Sequence, residues 1–288
     1  MKITVIEVPY DSGHYARRMG RGPFHLAQAG LEKLLESSGH AVRRLEVRLD
    51  EGFRLEIGSA LETQRLVSQC VGAEIAEGRL PLVLSGNCAT AVGSVAGAGV
   101  GRTAVVWLDA HGDFNTPETT PSGFFDGMAL AMLVGDCFTA MARTVPEFEP
   151  VPAEQVITIG MRDLDAAEAE RFERSAIASV GVEAIRREGV EAALGRALDA
   201  LPPAIDGAYL HLDLDVLDPS VARINPFQAP GGLELEEVEA VVRTVAARLP
   251  LRVAALTAYD PEVDEDGRGG EAALRLATVL AEEAAGRA

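Results

Sequence analysis

Two short acidic segments carry side chains that could do chemistry together. One reads Asp109-Ala110-His111-Gly112-Asp113-Phe114-Asn115, the other His211-Leu212-Asp213-Leu214-Asp215-Val216-Leu217-Asp218-Pro219. Each follows an apolar run, Thr103 to Leu108 and Gly207 to Leu210, so each reads as the carboxyl end of a buried strand. Side chains alternate along a strand, so Asp109, His111 and Asp113 can face one way, and so can His211, Asp213 and Asp215. Carboxylates gathered this closely repel unless some hold protons or a counter-charge lies among them. Bound divalent cations are the simplest remedy.

An isolated Asp-x-Asp pair at a strand end often does no more than close a turn or cap a helix. Two such segments, one with a histidine inside it, shift the balance toward metal. A donor set rich in oxygen, with some nitrogen, suits Mn²⁺ better than a closed structural zinc site. Two ions bridged by shared carboxylates would account for the number of acids. Cys88 follows another strand and can be read as a metal ligand, as an inert buried neighbour or as a nucleophile at a helix start. As a ligand its softer sulfur would favour zinc or iron. His211 can orient a ligand carboxylate or simply pack. His14 can border the site, His25 and His40 read as surface residues, and Trp107 as core. The polar loop from Asn115 to Ser122 follows the first acidic segment directly and could orient a substrate.

The elements that must position these residues are legible as alternating patterns. Candidate strands are Ile3–Val8, Val42–Val47, Leu80–Ser85, Ala104–Asp109, Val156–Ile159, Ile177–Val180, Ala208–Asp213 and Val253–Thr257. Amphipathic stretches lie at Pro23–Ser38, Ala60–Glu77, Ala166–Phe172, Val190–Leu201, Leu235–Arg248 and Gly270–Ala285, and a small-residue helix at Ala89–Gly97. Repeated strand–helix–strand units predict an α/β fold: a mostly parallel sheet between two helical layers, with ligands beyond the carboxyl ends of the strands. The loops Ser85-Gly86-Asn87-Cys88 and Gly160-Met161-Arg162-Asp163 should reach the same rim. No Pro/Ser-rich linker or repeat divides the 288 residues, so one domain over 1–288 is expected. The formal charge of −18 disfavours nucleic acid and anionic membranes as partners. No apolar run reaches the roughly 20 residues of a membrane span, and the first residues read as a strand, not a signal peptide. Three widely spaced cysteines argue against a disulfide framework, and a cytoplasmic location is the default expectation.

Together the motifs resemble the ureohydrolases, the superfamily of arginase, agmatinase and formiminoglutamase. The resemblance runs from Arg21-Gly22-Pro23 to Asp260-Pro261 and is carried best by Asp109–Asn115 and Asp213–Pro219. It implies a single three-layer α/β domain on an eight-stranded parallel sheet, two manganese ions per subunit and assembly into a homo-oligomer, trimeric or hexameric. It implies that Asp109 and Asp213 bridge the ions, that His111 and Asp215 complete one metal site, and that Asp113 and position 88 complete the other. A water activated by the ions would attack the guanidinium carbon. Asn115, Thr120 and Ser122 match positions that hold a substrate α-carboxylate, and Asp165 and Glu168 match positions near an α-amino group. A small-molecule amino acid is therefore implied over a decarboxylated amine.

Three departures stand out. Cys88 replaces a metal-binding histidine. Asp126 replaces a histidine associated with proton transfer and becomes the candidate for that role. The glutamate that grips the guanidinium is not evident in Thr257-Ala258-Tyr259-Asp260-Pro261, where Asp260 or Glu262 could substitute. These changes look most like the Nω-hydroxy-L-arginine hydrolases, whose hydroxyguanidine substrate is less basic. The sequence thus predicts a metal-dependent amidine hydrolase acting on Nω-hydroxy-L-arginine or L-arginine. The alternatives are a related protein that has lost catalysis and serves as a binding or regulatory subunit, or a formiminoglutamase- or agmatinase-type hydrolase.

Overall fold

The structure is a computed structural model and describes residues 1–50 and 55–286. The eight expected strands all form: β1 (Lys2–Val8), β2 (Ala41–Glu46), β3 (Leu80–Ser85), β4 (Thr103–Leu108), β5 (Val156–Ile159), β6 (Ala178–Val180), β7 (Gly207–Asp213) and β8 (Leu251–Thr257). They build one sheet in the order β2-β1-β3-β8-β7-β4-β5-β6, with every pairing parallel. A separate antiparallel pair, Tyr10–Asp11 with His14–Tyr15, is a small hairpin.

The central strands β3, β4, β5 and β7 are buried along their whole length, whereas the edge strand β2 alternates between half-buried and exposed residues. Strands covered on both faces need apolar residues at every position, and these supply them. Alternation then sorts the side chains into two cores. Leu82, Leu84, Val106, Leu108, Leu210 and Leu212 join one. Val83, Val105, Trp107 and Tyr209 join the other. The second face bears on the site, because Asp109 continues the row of Trp107, and His211 and Asp213 continue the row of Tyr209.

Eleven α-helices flank the sheet among the described residues: α1 (Gly22–Gln28), α2 (Leu31–Ser37), α3 (Glu56–Ala76), α4 (Ala91–Ala98), α5 (Ala129–Val134), α6 (Thr139–Ala142), α7 (Ala166–Glu173), α8 (Val182–Glu188), α9 (Val190–Asp199), α10 (Leu235–Arg248) and α11 (Arg268–Ala285). The single helix expected over Pro23–Ser38 is two, because Gly30 takes φ 98° and ends α1 before α2 begins. A left-handed residue cannot continue a right-handed helix. α3 and α4 pack so tightly that a Cβ on Gly93 would sit 2.3 Å from the Gln64 carbonyl oxygen. His40, read from sequence as a surface residue, is buried, and His25 stacks on Tyr259.

Glu7 lies on β1, almost wholly buried, with Oε2 3.6 Å from Arg44 and Oε1 without a hydrogen-bond partner. Burial pushes its carboxyl from 4.5 to about 7, against the pull of Arg44. A carboxyl with a raised folded pKa contributes its full stability below the unfolded value and loses it as pH rises through 7. We therefore expect Glu7→Gln to leave stability near pH 4 almost unchanged and to raise it by about 1–3 kcal/mol at pH 8. Urea unfolding at the two pH values checks this; an equal shift at both would contradict it.

Candidate metal centre

Strand register brings the acidic segments together. Leu108 pairs with Leu212, so Asp109 and Asp213 emerge side by side one residue later. On the other flank Thr257 pairs with both Asp213 and Ser85. Ser85, Thr257, Asp213 and Asp109 therefore form a row along the carboxyl edge, and Cys88 follows three residues after Ser85. The row opens into a cleft of about 200 Å³. Its walls include Cys88, Asp109, His111, Asp113, Asp126, Asp213 and Asp215, with Asn115, Thr120, Ser122, Asp165 and Glu168 on the same cleft. These twelve are the residues assigned from the sequence to the metal ions, to proton transfer and to the two ends of an amino-acid substrate; His211 is buried and is not part of the wall.

His111 is held between two carboxylates, with Nδ1 3.3 Å from Asp109 Oδ1 and 3.4 Å from Asp215 Oδ2. Its Nε2 lies 3.2 Å from the Phe227 carbonyl oxygen, which fixes the ring orientation. Ligand atoms of Asp109, His111 and Asp215 lie within 4.8 Å of one another. Asp213 Oδ1 accepts from the Asp215 amide at 2.8 Å, and its Oδ2 lies 3.0 Å from the Cys88 sulfur. Asp113 reaches the cluster through a left-handed backbone, φ 47°, and its buried Oδ2 has no hydrogen-bond partner among the described residues.

The electrostatics follow from this crowding. Burial, then Asp109 and Asp126, push Asp113 well above the carboxylate range; burial, then Asp215 and Asp109, do the same to Asp213. Burial also raises Asp215, but the hydrogen bond and charge of His111 outweigh it and hold the carboxyl at about 2. Burial lowers His111, but Asp109 and Asp215 outweigh it and keep the imidazole charged. Burial, then the charges of Asp213, Asp126, Asp113 and Asp109, raise the Cys88 thiol well above its usual range. That speaks against a free thiolate nucleophile, which needs a lowered pKa. An orphaned buried carboxylate oxygen among four further acids, an imidazole and a thiol is a donor set that fits divalent cations.

Asp126 has a different surrounding. Its Oδ1 accepts from the Ala89 amide at 2.7 Å, and its Oδ2 from the Cys88 amide at 3.0 Å and the Asn87 side chain at 2.9 Å. It anchors the turn that carries Cys88 into α4. Burial nevertheless pushes it up to about 7 against those three donors. Asp165 and Glu168 form a capping box at the start of α7. Glu168 Oε1 also accepts from the Phe114 amide at 2.7 Å, passing so close to Gly112 that a Cβ there would meet the carboxylate at 2.7 Å. Asn115 Nδ2 donates to Asp165 at 2.9 Å, and Thr120 and Ser122 accept from the amides of Gly123 and Phe124. Neither Asp260 nor Glu262 lines the cleft. Asp260 accepts from the Glu262 amide at 3.0 Å, and Glu262 pairs with Arg21 at the surface. The residue of that segment on the cleft wall is Ala258. His14 lies in the exposed hairpin and does not line the cleft.

Sequence reasoning missed Asn225, Phe227 and Phe124, whereas the loop that carries Asp163 reaches the rim as expected. Asn225 Nδ2 donates to Asp215 Oδ2 and to the Ala258 carbonyl, both at 3.0 Å, tying the metal rim to β8. The only sequence signal was the turn-forming Asn225-Pro226 pair. Phe124 and Phe227 meet at 5.8 Å at the mouth. Arg162 holds the floor of the Asp215 turn through its carbonyl at 3.0 Å and the Ala229 carbonyl at 2.8 Å.

Burial and the neighbouring acids disfavour the ionised form of Asp213, so Asp213→Asn should change metal-free stability by no more than about 1 kcal/mol. The wild-type protein should gain about 2.7 kcal/mol when Mn²⁺ stands at a hundred times its Kd, and the variant should lose most of that gain. Thermal unfolding with and without chelator reads both; an equal Mn²⁺ gain in the two proteins would rule out Asp213 as a ligand.

The same architecture occurs in known proteins. The Arginase family model matches residues 1–285. Arginase from Bacillus subtilis (strain 168) is 31% identical over 288 residues, covering 96% of this chain and 97% of its own. Arginase from Bacillus caldovelox is 30% identical over 286 residues, covering 95% and 96%. The crystal structure of arginase from Bacillus cereus superposes with a TM-score of 0.88 at 30% identity, covering 97% of this chain and 98% of that one. A match along nearly the whole chain, on a site whose acids converge as described, leaves one conclusion: the chain belongs to the arginase family and is a ureohydrolase-type enzyme.

Proposed function

We propose that this enzyme hydrolyses the C–N bond of a guanidino or hydroxyguanidino α-amino acid, with two Mn²⁺ ions held by Asp109, His111, Asp113, Asp213, Asp215 and Cys88. Nω-hydroxy-L-arginine is the favoured substrate and L-arginine the second. The reading is carried by one observation: the crowded carboxylates share a cleft with polar groups suited to both charges of an amino acid. Two divalent cations would supply an activated water near neutral pH and polarise the guanidino group.

The chain's own residues do the rest. Asn115, Thr120 and Ser122 present short donors for an α-carboxylate, and Asp165 and Glu168 offer acceptors for an α-ammonium. No Lys or Arg lines the cleft among the described residues. A substrate with a second side-chain carboxylate, such as formiminoglutamate, would meet acids there and no Lys or Arg to receive it. Agmatine would leave the carboxylate-binding loop unused. Asp126, raised to about 7, can hold or release a proton near neutrality, within the limits set by the three donors that already occupy it.

Ala258, where a facing acid would be needed, offers no charge-assisted contact to a guanidinium. Such a contact contributes about 1.5–3 kcal/mol. A hydroxyguanidine is less basic and loses less without it. With Mn²⁺ present we expect hydroxyurea release from Nω-hydroxy-L-arginine, with kcat/KM at least about 10-fold above that for urea release from L-arginine. Asp109→Asn should reduce both by more than about 100-fold. Failure to release product from any guanidino or formimino amino acid would overturn the proposal; a preference for L-arginine would overturn the substrate order alone.

A further inference from the structure

We propose that His211 is a direct metal ligand: its Nε2, the Cys88 sulfur and an Asp109 oxygen form an inner nitrogen–sulfur–oxygen subsite that takes zinc in preference to manganese. It rests on the metal-pair reading above and makes the two subsites chemically unequal. The outer one, around His111, keeps an oxygen-rich set.

Ligand atoms of Cys88, Asp109 and His211 lie within 4.8 Å of one another, and all three residues are buried. With zinc–ligand bonds of about 2.0–2.3 Å, such atoms can share one ion. The His211 ring is fixed on every side that matters. It stacks on Trp107, its neighbour across the β4–β7 pairing, with centroids 3.7 Å apart and planes 14° apart. Trp107 Nε1 in turn donates to Asp109 Oδ2 at 3.0 Å. Nδ1 lies 2.8 Å from the Tyr209 hydroxyl.

The Tyr209 oxygen can accept from Nδ1–H, and a metal ion on Nε2 requires that tautomer. With the proton on Nδ1, Nε2 presents a lone pair, as a ligating histidine must, and a hydrogen bond on the other ring nitrogen is the usual support for it. Nε2 lies 3.4 Å from the Thr257 hydroxyl, which is also 3.3 Å from the Cys88 sulfur and 3.4 Å from Asp213 Oδ2. These contacts are long for hydrogen bonds, so a packing role alone leaves a buried acceptor poorly satisfied. Asp113, with its unpartnered Oδ2, supplies a further oxygen on the same cleft. Thiolate and imidazole together select zinc over manganese, and the thiol releases its proton to solvent when the ion binds.

The test uses the full metal-free chain and X-ray absorption at the zinc edge. One equivalent of Zn²⁺ should show sulfur and imidazole on the same ion, and His111→Asn should retain both signals. Sulfur without imidazole, imidazole without sulfur, or loss of the imidazole signal in His111→Asn would overturn the proposal while leaving the metal pair standing. A wild-type chain that binds no divalent ion would overturn both. In calorimetric titration, His211→Gln should weaken zinc by more than about 100-fold and Tyr209→Phe by about 10-fold, with outer-site Mn²⁺ affinity little changed. Unchanged zinc affinity in a folded His211→Gln would overturn it; should that variant not fold, the wild-type spectrum decides.

Discussion

Repulsion among buried carboxylates is the constraint around which this structure is organised. Asp109, Asp113, Asp126, Asp213 and Asp215 are all nearly inaccessible to water, and water is what normally disperses such charge. Among the described residues of the cleft wall only His111 places a positive charge among them, and it settles Asp215 in the ionised form while the neighbours are pushed toward protonation. Such an arrangement is expensive for a fold unless something with more positive charge completes it. The site therefore makes sense as a receptacle for cations, and the surrounding sheet as the rigid frame that keeps the acids from spreading apart.

The frame works through register. Parallel pairing of β4, β7, β8 and β3 sets Asp109, Asp213, Thr257 and Ser85 level with one another, so no loop has to search for the right geometry. One residue of slip in β7 would turn Asp213 into the opposite core and bring Leu212 to the rim. The apolar residues that alternate below prevent this: Leu210 and Leu212 belong to one face, Tyr209 to the other. Core packing and site assembly are thus the same interaction seen at two heights along the strand.

Much of this was legible in the chain. All eight strands could be read because buried parallel strands are short apolar runs punctuated by polar turns. The acids that end β4 and β7 were visible for the same reason, since charge directly after such a run has few structural explanations. What escaped was set by tertiary contact. Asn225 carries no periodic signal, and its importance comes only from meeting Asp215 and the Ala258 carbonyl. The division of the first helix depended on one glycine whose left-handed turn was not apparent in an otherwise helical pattern. Asp126 read simply as a substituted histidine, whereas its three donors from the Cys88 turn appear only once α4 is docked.

Beyond Asp126 and the four carboxylates proposed to hold the ions, the cleft wall carries Asp163, Asp165 and Glu168 and no lysine or arginine among the described residues. Low-dielectric walls around charge of one sign focus field lines outward from the mouth. A cationic amino acid approaching from solution would be drawn in from beyond contact range, and added salt would shorten that reach toward the Debye length of about 8 Å at physiological ionic strength. The same field would slow the departure of a cationic amine product, so the wall that speeds capture also sets a cost on turnover.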